Sequence, residues 1–222
     1  MPPTATMQDI KAYLEKVEKN QITAQNLPDC VRCGLEAHHF KVHAFRERRF
    51  LIIVDMTVRS EYAPLVRFRC PACNKTFACY PDFALPHKHY TRQSIVGFAQ
   101  HYLASECATY QQAVMVKAQH AVPGYPDGEK SLAPSTVHRW VTALSGLAHT
   151  TQKALNLIRE EAPATRVFRD LAQLTVTPGK YKSPARKKRL LGGLRLLVVE
   201  AFFKAAFKLS IFTNLAINCA FS

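Results

Sequence analysis

The sequence predicts an α+β chain: a small antiparallel β-module clasped on a metal, then a group of helices and a helical tail. Three observations predict it. Two Cys-x-x-Cys pairs, Cys30-Val31-Arg32-Cys33 and Cys70-Pro71-Ala72-Cys73, bracket short runs rich in β-branched and aromatic residues. From residue 91 onward, apolar residues recur at helical instead of alternating spacing. The 222 residues are 48% hydrophobic, enough for one sizeable core or two small ones.

Residues 1–26 hold one amphipathic helix, over 6–19. Thr6 and Asp9 form a capping-box-like start, and Met7, Ile10, Leu14 and Val17 fall on one face, which packs on the β-module or on another subunit. No positive region followed by an apolar run is present, so no secretory signal is expected. Seven cysteines, an odd number, fit a reducing cytoplasm with metal-bound thiolates better than a disulfide framework.

Residues 27–86 read as a zinc ribbon, two metal-bearing turns clasping antiparallel strands. HHFKVHAF and FLIIVDM are strands with Arg46-Glu47-Arg48-Arg49 as a polar turn between them; LVRFRC leads into the second cysteine pair and KTFACY leaves it. Zinc takes four tetrahedral ligands, and each Cys-x-x-Cys turn supplies two. The expected ligands are Cys30, Cys33, Cys70 and Cys73. Gly34 and Asn74, which follow the pairs, both tolerate the positive φ that lets backbone amides point at the sulfurs. Four thiolates leave no open position for water, so the ion is structural and supplies much of the module's folding free energy. His38, His39 and His43 could each replace a cysteine as ligand. His87 and His89 read as surface or phosphate-contacting residues, and Cys79, Cys107 and Cys219 as buried structural thiols.

Residues 87–162 read as a helical domain. Thr91 caps a helix whose apolar face is Ile95, Phe98, Ala99, Tyr102 and Leu103. Thr109 caps a second, with Tyr110, Ala113, Val114 and Ala118 inward. A Pro- and Gly-rich loop, AVPGYPDGEKS, separates these from a third helix opened by Pro134 and Ser135. Val137, Val141, Leu144 and Ala148 share its face, which runs on through Leu155 and Ile158 to about Glu161, with Gly146 as a break or bend.

Residues 163–222 read as a basic linker and an apolar helical tail. KYKSPARKKR (180–189) holds six Lys or Arg in ten residues and reads as a solvated linker or a non-specific DNA tether. A helix from Leu194 to Leu209 follows, with Glu200, Lys204 and Lys208 on one side at i, i+4 spacing. This tail is a packed helix, an oligomer contact or a membrane-surface helix. Its longest charge-free run, Leu209 to Ser222, is too short to span a bilayer.

Thirty basic against sixteen acidic residues give a net charge of +14. Residues 30–90 carry +5 and residues 162–222 carry +9, whereas 1–29 and 91–161 carry −1 and +1. Such a surface favours a polyanion, most often nucleic acid. Arg46, Arg48, Arg49, Arg67 and Arg69 form a phosphate-contacting set on the ribbon, or else a solvated face. Three helices, the third starting Pro134-Ser135-Thr136-Val137-His138-Arg139-Trp140, suggest a helix-turn-helix whose third helix enters the major groove. Ser135, Thr136, His138 and Arg139 can all hydrogen-bond to base edges there, Arg139 to guanine in bidentate fashion. Trp140 fills the core or the rim of that surface.

The Cys-x-x-Cys-Gly turn, RFRCPACNKTF, YPDFALPHKHY and the Ser-Thr-Val-x-Arg-Trp helix start carry a resemblance. Residues 28–145 resemble the zinc-ribbon plus helix-turn-helix module that precedes the catalytic domain of many prokaryotic insertion-sequence transposases. They equally resemble short bacterial proteins built on that module alone. The resemblance implies DNA binding at element ends, with the ribbon as an accessory clamp. The loop from His120 to Leu132 exceeds the three- or four-residue turn of a minimal helix-turn-helix and reads as a wing or an insertion. The resemblance also implies a nuclease domain with three carboxylates around two magnesium ions. After residue 162 only Asp170 and Glu200 remain, so that domain is read as lacking.

The expectation is therefore a bacterial, cytoplasmic, zinc- and DNA-binding protein, not an enzyme on its own, with duplex DNA and a homodimer mate as partners. The alternative is a protein-interaction adaptor for an acidic partner protein. A nuclease built from Asp55, Asp82, Asp170 or Glu200 is the third reading, without a supporting motif.

Overall fold

The computed structural model describes residues 7–54, 57–106, 108–114, 130–207 and 210–214. Within these limits the chain divides into two compact units. One comprises residues 7–52, 60–92 and 212–214; the other comprises 53–59 and 93–211. The architecture is mixed α+β, with a small antiparallel sheet followed by several helices.

Strands β1 (Lys41–Val54), β2 (Thr57–Arg69) and β3 (Thr76–Cys79) lie side by side in that order, and all but residues 53–59 belong to the first unit. β3 runs antiparallel to β2 with Val66 opposite Cys79 and Arg69 opposite Thr76. Alternation along β2 sends Val66 and Phe68 into the core and leaves Arg67 and Arg69 on the other face. Leu27, Phe40, Val66, Phe68 and Phe77 pack together with Cys30 and Cys70, and the Phe40 and Phe77 rings stack at 4.8 Å. The cysteines therefore sit against the unit's small apolar core.

Arg46-Glu47-Arg48-Arg49 is not a turn. β1 runs straight through it, because nothing in the quartet favours a reversal and each side chain finds a place on an extended strand. Arg48 folds inward, donating to the Tyr80 hydroxyl (3.1 Å) and the Lys88 carbonyl (3.0 Å), while Arg46, Glu47 and Arg49 stay exposed.

Helix α1 (Met7–Glu18) packs on this unit through Ile10 and Tyr13, with Val17 against the core. The Tyr13 hydroxyl donates to the Pro64 carbonyl at 2.8 Å, and its ring stands edge-on to Phe83. Tyr13 thus takes the place expected of Met7, which is exposed. Thr6 lies outside the described residues.

The second unit is helical. α2 (Arg92–Ala104) buries Ile95, Phe98, Ala99, Tyr102 and Leu103, all on one face. α3 (Tyr110–Val114) opens with a capping box: the Gln112 amide donates to Thr109 Oγ1 (3.2 Å), and Gln112 Oε1 accepts from the Thr109 amide (3.2 Å). Ala118 and most of the Pro- and Gly-rich loop lie outside the described residues. At the loop's end a short strand, β4 (Lys130–Ser131), pairs antiparallel with Val58 and Thr57 of β2.

Gly146 ends the expected long third helix, which becomes α4 (Pro134–Ser145) and α5 (Ala148–Glu161). Ala148, assigned to the shared apolar face, is consequently exposed. Trp140 is buried near Phe98, with ring centroids 6.1 Å apart.

The run expected as a linker is folded, and the tail is a packed helix, one of the readings of its sequence. α6 (Val167–Ala172) is followed by a 3₁₀ turn (Pro178–Lys180) and a 24-residue helix, α7 (Pro184–Phe207). α7 packs against α4, α5 and α6. The second half of the basic run, 184–189, forms its first turns: Ser183 Oγ accepts from the Arg186 amide at 3.3 Å, and Pro184 sits at the first helical position. Leu190, Leu194, Leu197 and Phe203 then bury its apolar face. Lys180, expected in solvent, is buried. Glu200 is buried too, accepting from Ser210 Oγ (2.7 Å) and from the Ile211 amide (2.9 Å) that starts α8 (Ile211–Asn214). Lys208 lies outside the described residues. No helix among the described residues is long and apolar enough to cross a membrane.

Candidate metal centre and basic surfaces

The two cysteine turns are built alike. The Cys30 amide donates to the Leu35 carbonyl (2.8 Å) and the Gly34 amide to the Cys30 carbonyl (2.7 Å). The Cys70 amide donates to the Lys75 carbonyl (2.8 Å) and the Asn74 amide to the Cys70 carbonyl (2.9 Å). Each turn reverses at the residue after its second cysteine, Gly34 at φ +73° and Asn74 at φ +63°. Only glycine and, less readily, asparagine occupy that region without strain.

These turns bring four sulfurs together. Cys30 and Cys73 Sγ lie 3.3 Å apart, Cys33 and Cys70 Sγ 3.5 Å apart, and all four lie within 4.8 Å of one another. The separations exceed a disulfide bond of about 2.05 Å. A tetrahedral ion with metal–sulfur bonds of about 2.3 Å sets its sulfurs about 3.8 Å apart, so the donor set fits one thiophilic ion. Among the described residues no histidine joins the cluster, and no other group of three His, Cys, Asp or Glu converges in this way. His38 instead pairs with Glu36 at 3.0 Å.

Within the cluster the thiolate is favoured at Cys30. Burial raises Cys30, but hydrogen bonds from the Arg32 amide, Cys73, and the Cys33 amide and thiol more than offset it and hold Cys30 down to about 6. At Cys33 the Leu35 amide lowers the value, yet burial and hydrogen bonds with Cys30, Cys70 and Cys73 push it up to about 12. The Cys30 thiolate is thus favoured at neutral pH while Cys33 keeps its proton, which a bound cation would displace. Cys79 is different in kind. Burial, then the nearby Asp82 charge, push it up to about 11, and it packs against the core as an inert thiol. Cys107 and Cys219 lie outside the described residues.

The candidate arginines of β1 and β2 fall into two groups. Arg48 is engaged with Tyr80 and Lys88, and Arg67 donates to Thr76 Oγ1 across the strands (2.7 Å). Arg46, Arg49 and Arg69 are exposed. Arg69 shares a concavity of about 300 Å³ with Lys41, His43, Pro71 and Asn74, beside the second cysteine turn.

On α4, Ser135, His138 and Arg139 are exposed while Val137, Trp140, Val141 and Leu144 are buried. Thr136 is buried, and its hydroxyl accepts from Arg139 Nη2 at 3.2 Å, so it orients the arginine from behind. His138 stands edge-on to Tyr110 (5.2 Å), and the Arg186 guanidinium lies 6.0 Å from the same ring. Arg186 of α7 therefore joins the α4 surface. Its signal in the sequence was Ser183-Pro184, an N-cap followed by proline, within a run whose charge suggested a solvated linker or a non-specific DNA tether. Of the carboxylates considered for a nuclease, Asp82 and Asp170 are exposed, Glu200 caps α8, and Asp55 lies outside the described residues.

Residues 25–119 match the model of a family described as a domain of unknown function, DUF6431. No curated protein and no solved structure matches the chain.

Proposed function

We propose that this chain is a zinc-stabilised protein of transposase type that binds duplex DNA. Zinc is the ion that four thiolates in a closed tetrahedral set suit best, and its part is to fix the two turns. Cys30, Cys33, Cys70 and Cys73 hold it.

The observation that carries the DNA reading is the surface of α4. Its first turns expose Ser135, His138 and Arg139 beside Arg186, with no acidic residue in the first turn, while its opposite face is locked into the core. A rigid helix presenting short donors and an arginine at its N-terminal end is what major-groove reading requires. Exposed Arg46, Arg49 and Arg69, with Lys41 and His43 near Arg69, supply further phosphate contacts on the other unit. The net charge of +14 favours the same partner.

The test is fluorescence anisotropy of the full chain with duplex DNA across a salt series, after selecting bound sequences from a random pool. Affinity should fall steeply with salt, and Arg139→Ala should cost about 1–3 kcal/mol on the selected site. No binding at low salt removes the DNA role.

A further inference from the structure

We propose that the groove between α5 and α7 docks an acidic amphipathic helix of a partner protein. The groove encloses about 680 Å³. Its apolar lining comes from Ala148 and Leu155 of α5 and from Leu191 and Gly192 of α7. Four cations, Lys187, Lys188, Arg189 and Arg195, line the α7 side. No aspartate or glutamate lines it. The occupant must therefore combine negative charge with apolar side chains.

Spacing narrows the choice. Lys188 and Arg195 are seven residues apart on one helix, about 10.5 Å, or two turns. An acidic pair at i and i+7 on a helix lying alongside matches that separation, and leucines between them reach the apolar lining. Duplex DNA fits less well. Phosphates gain nothing from an apolar wall. The groove also differs from the Ser135–His138–Arg139 surface in the residues it uses, so the two sites can be tested separately.

The full chain is titrated with a labelled, designed peptide of about five helical turns, leucine at i, i+3, i+4 and i+7 and glutamate elsewhere. Comparison arms are a scrambled peptide of the same composition, which loses the apolar face, and duplex DNA as competitor. The designed peptide should bind in roughly the micromolar range, and either Leu155→Asp or Lys188→Glu with Arg195→Glu should weaken it by about tenfold or more. Both variants should keep the wild-type circular dichroism spectrum, and the charge-reversal variant, altered only at exposed positions, guards against misfolding. Equal binding of the scrambled peptide would make the groove a plain polyanion surface and overturn the proposal. So would displacement by DNA, or absence of binding at roughly millimolar peptide. If wild-type protein fails to bind DNA yet binds the peptide, the DNA reading falls and this one stands.

Discussion

Lys180 Nζ donates to the carbonyl oxygens of Tyr102 (2.7 Å) and Leu103 (3.2 Å), and also to that of Ser105, so a lysine closes the C-terminus of α2 from a distant turn. The last carbonyls of a helix lack intrahelical partners and carry the negative end of its dipole, which a cation satisfies. The ammonium also lies 5.4 Å from the Tyr102 ring centroid. Lys180→Met keeps the stem and removes the donors, leaving buried carbonyls unpaired. Urea unfolding should show a loss of about 3 kcal/mol. A loss within experimental error would mean that water replaces the ammonium and the lysine does not cap α2.

Cys30→Ser and Cys73→Ser should each abolish stoichiometric metal and destabilise the first unit, whose two cysteine turns the ion fixes. Metal content by mass spectrometry and the circular dichroism melt report the two effects. Val31, between the ligands and exposed, is the control: Val31→Ser should leave metal content and melt unchanged. Full metal retention in the cysteine variants would show that the ligand set has been misassigned.

What the sequence disclosed and what it hid separate by range. The cysteine turns were legible because spacing within each pair and the residue after it fix the geometry locally. The buried face of α2 was legible for the same reason, one helical period covering Ile95 to Leu103. β1 was misread at Arg46–Arg49 because charge suggests a turn, whereas a strand with an aromatic neighbour for Arg48 accommodates it. The basic run at 180–189 was misread because composition says nothing of partners: the carbonyls that bury Lys180 lie 75 to 78 residues away.

At Gly193, α7 passes close to Ser145 of α4 and Leu103 of α2. A Cβ there would lie 2.9 Å from Ser145 Oγ and 3.2 Å from Leu103 Cδ1. Alanine gains about 1 kcal/mol of helix propensity over glycine, but overpacking costs about 1–3 kcal/mol, so Gly193→Ala should be destabilising by about 1 kcal/mol. Ser145→Ala in the same chain removes the clashing oxygen, and the pair should recover most of that loss. Strictly additive effects of the two substitutions would contradict the contact.

Tyr13 gives the first unit an alkaline limit. Burial first, and the Cys79 charge second, push its hydroxyl up to about 12 against the opposing Val66 backbone contribution. The unfolded chain releases this proton near pH 10, so between about pH 10 and 12 the folded state holds more protons and loses stability as pH rises. Below about pH 10 the contribution is complete. Tyr13→Phe deletes the bond to the Pro64 carbonyl and should cost about 1 kcal/mol at neutral pH. The phenylalanine cannot titrate, so the stability gap between wild type and variant should shrink as pH climbs from about 10 to about 12. Denaturation measured at about pH 8 and about pH 11 distinguishes the cases, and an unchanged gap would mean the hydroxyl is as free to ionise folded as unfolded.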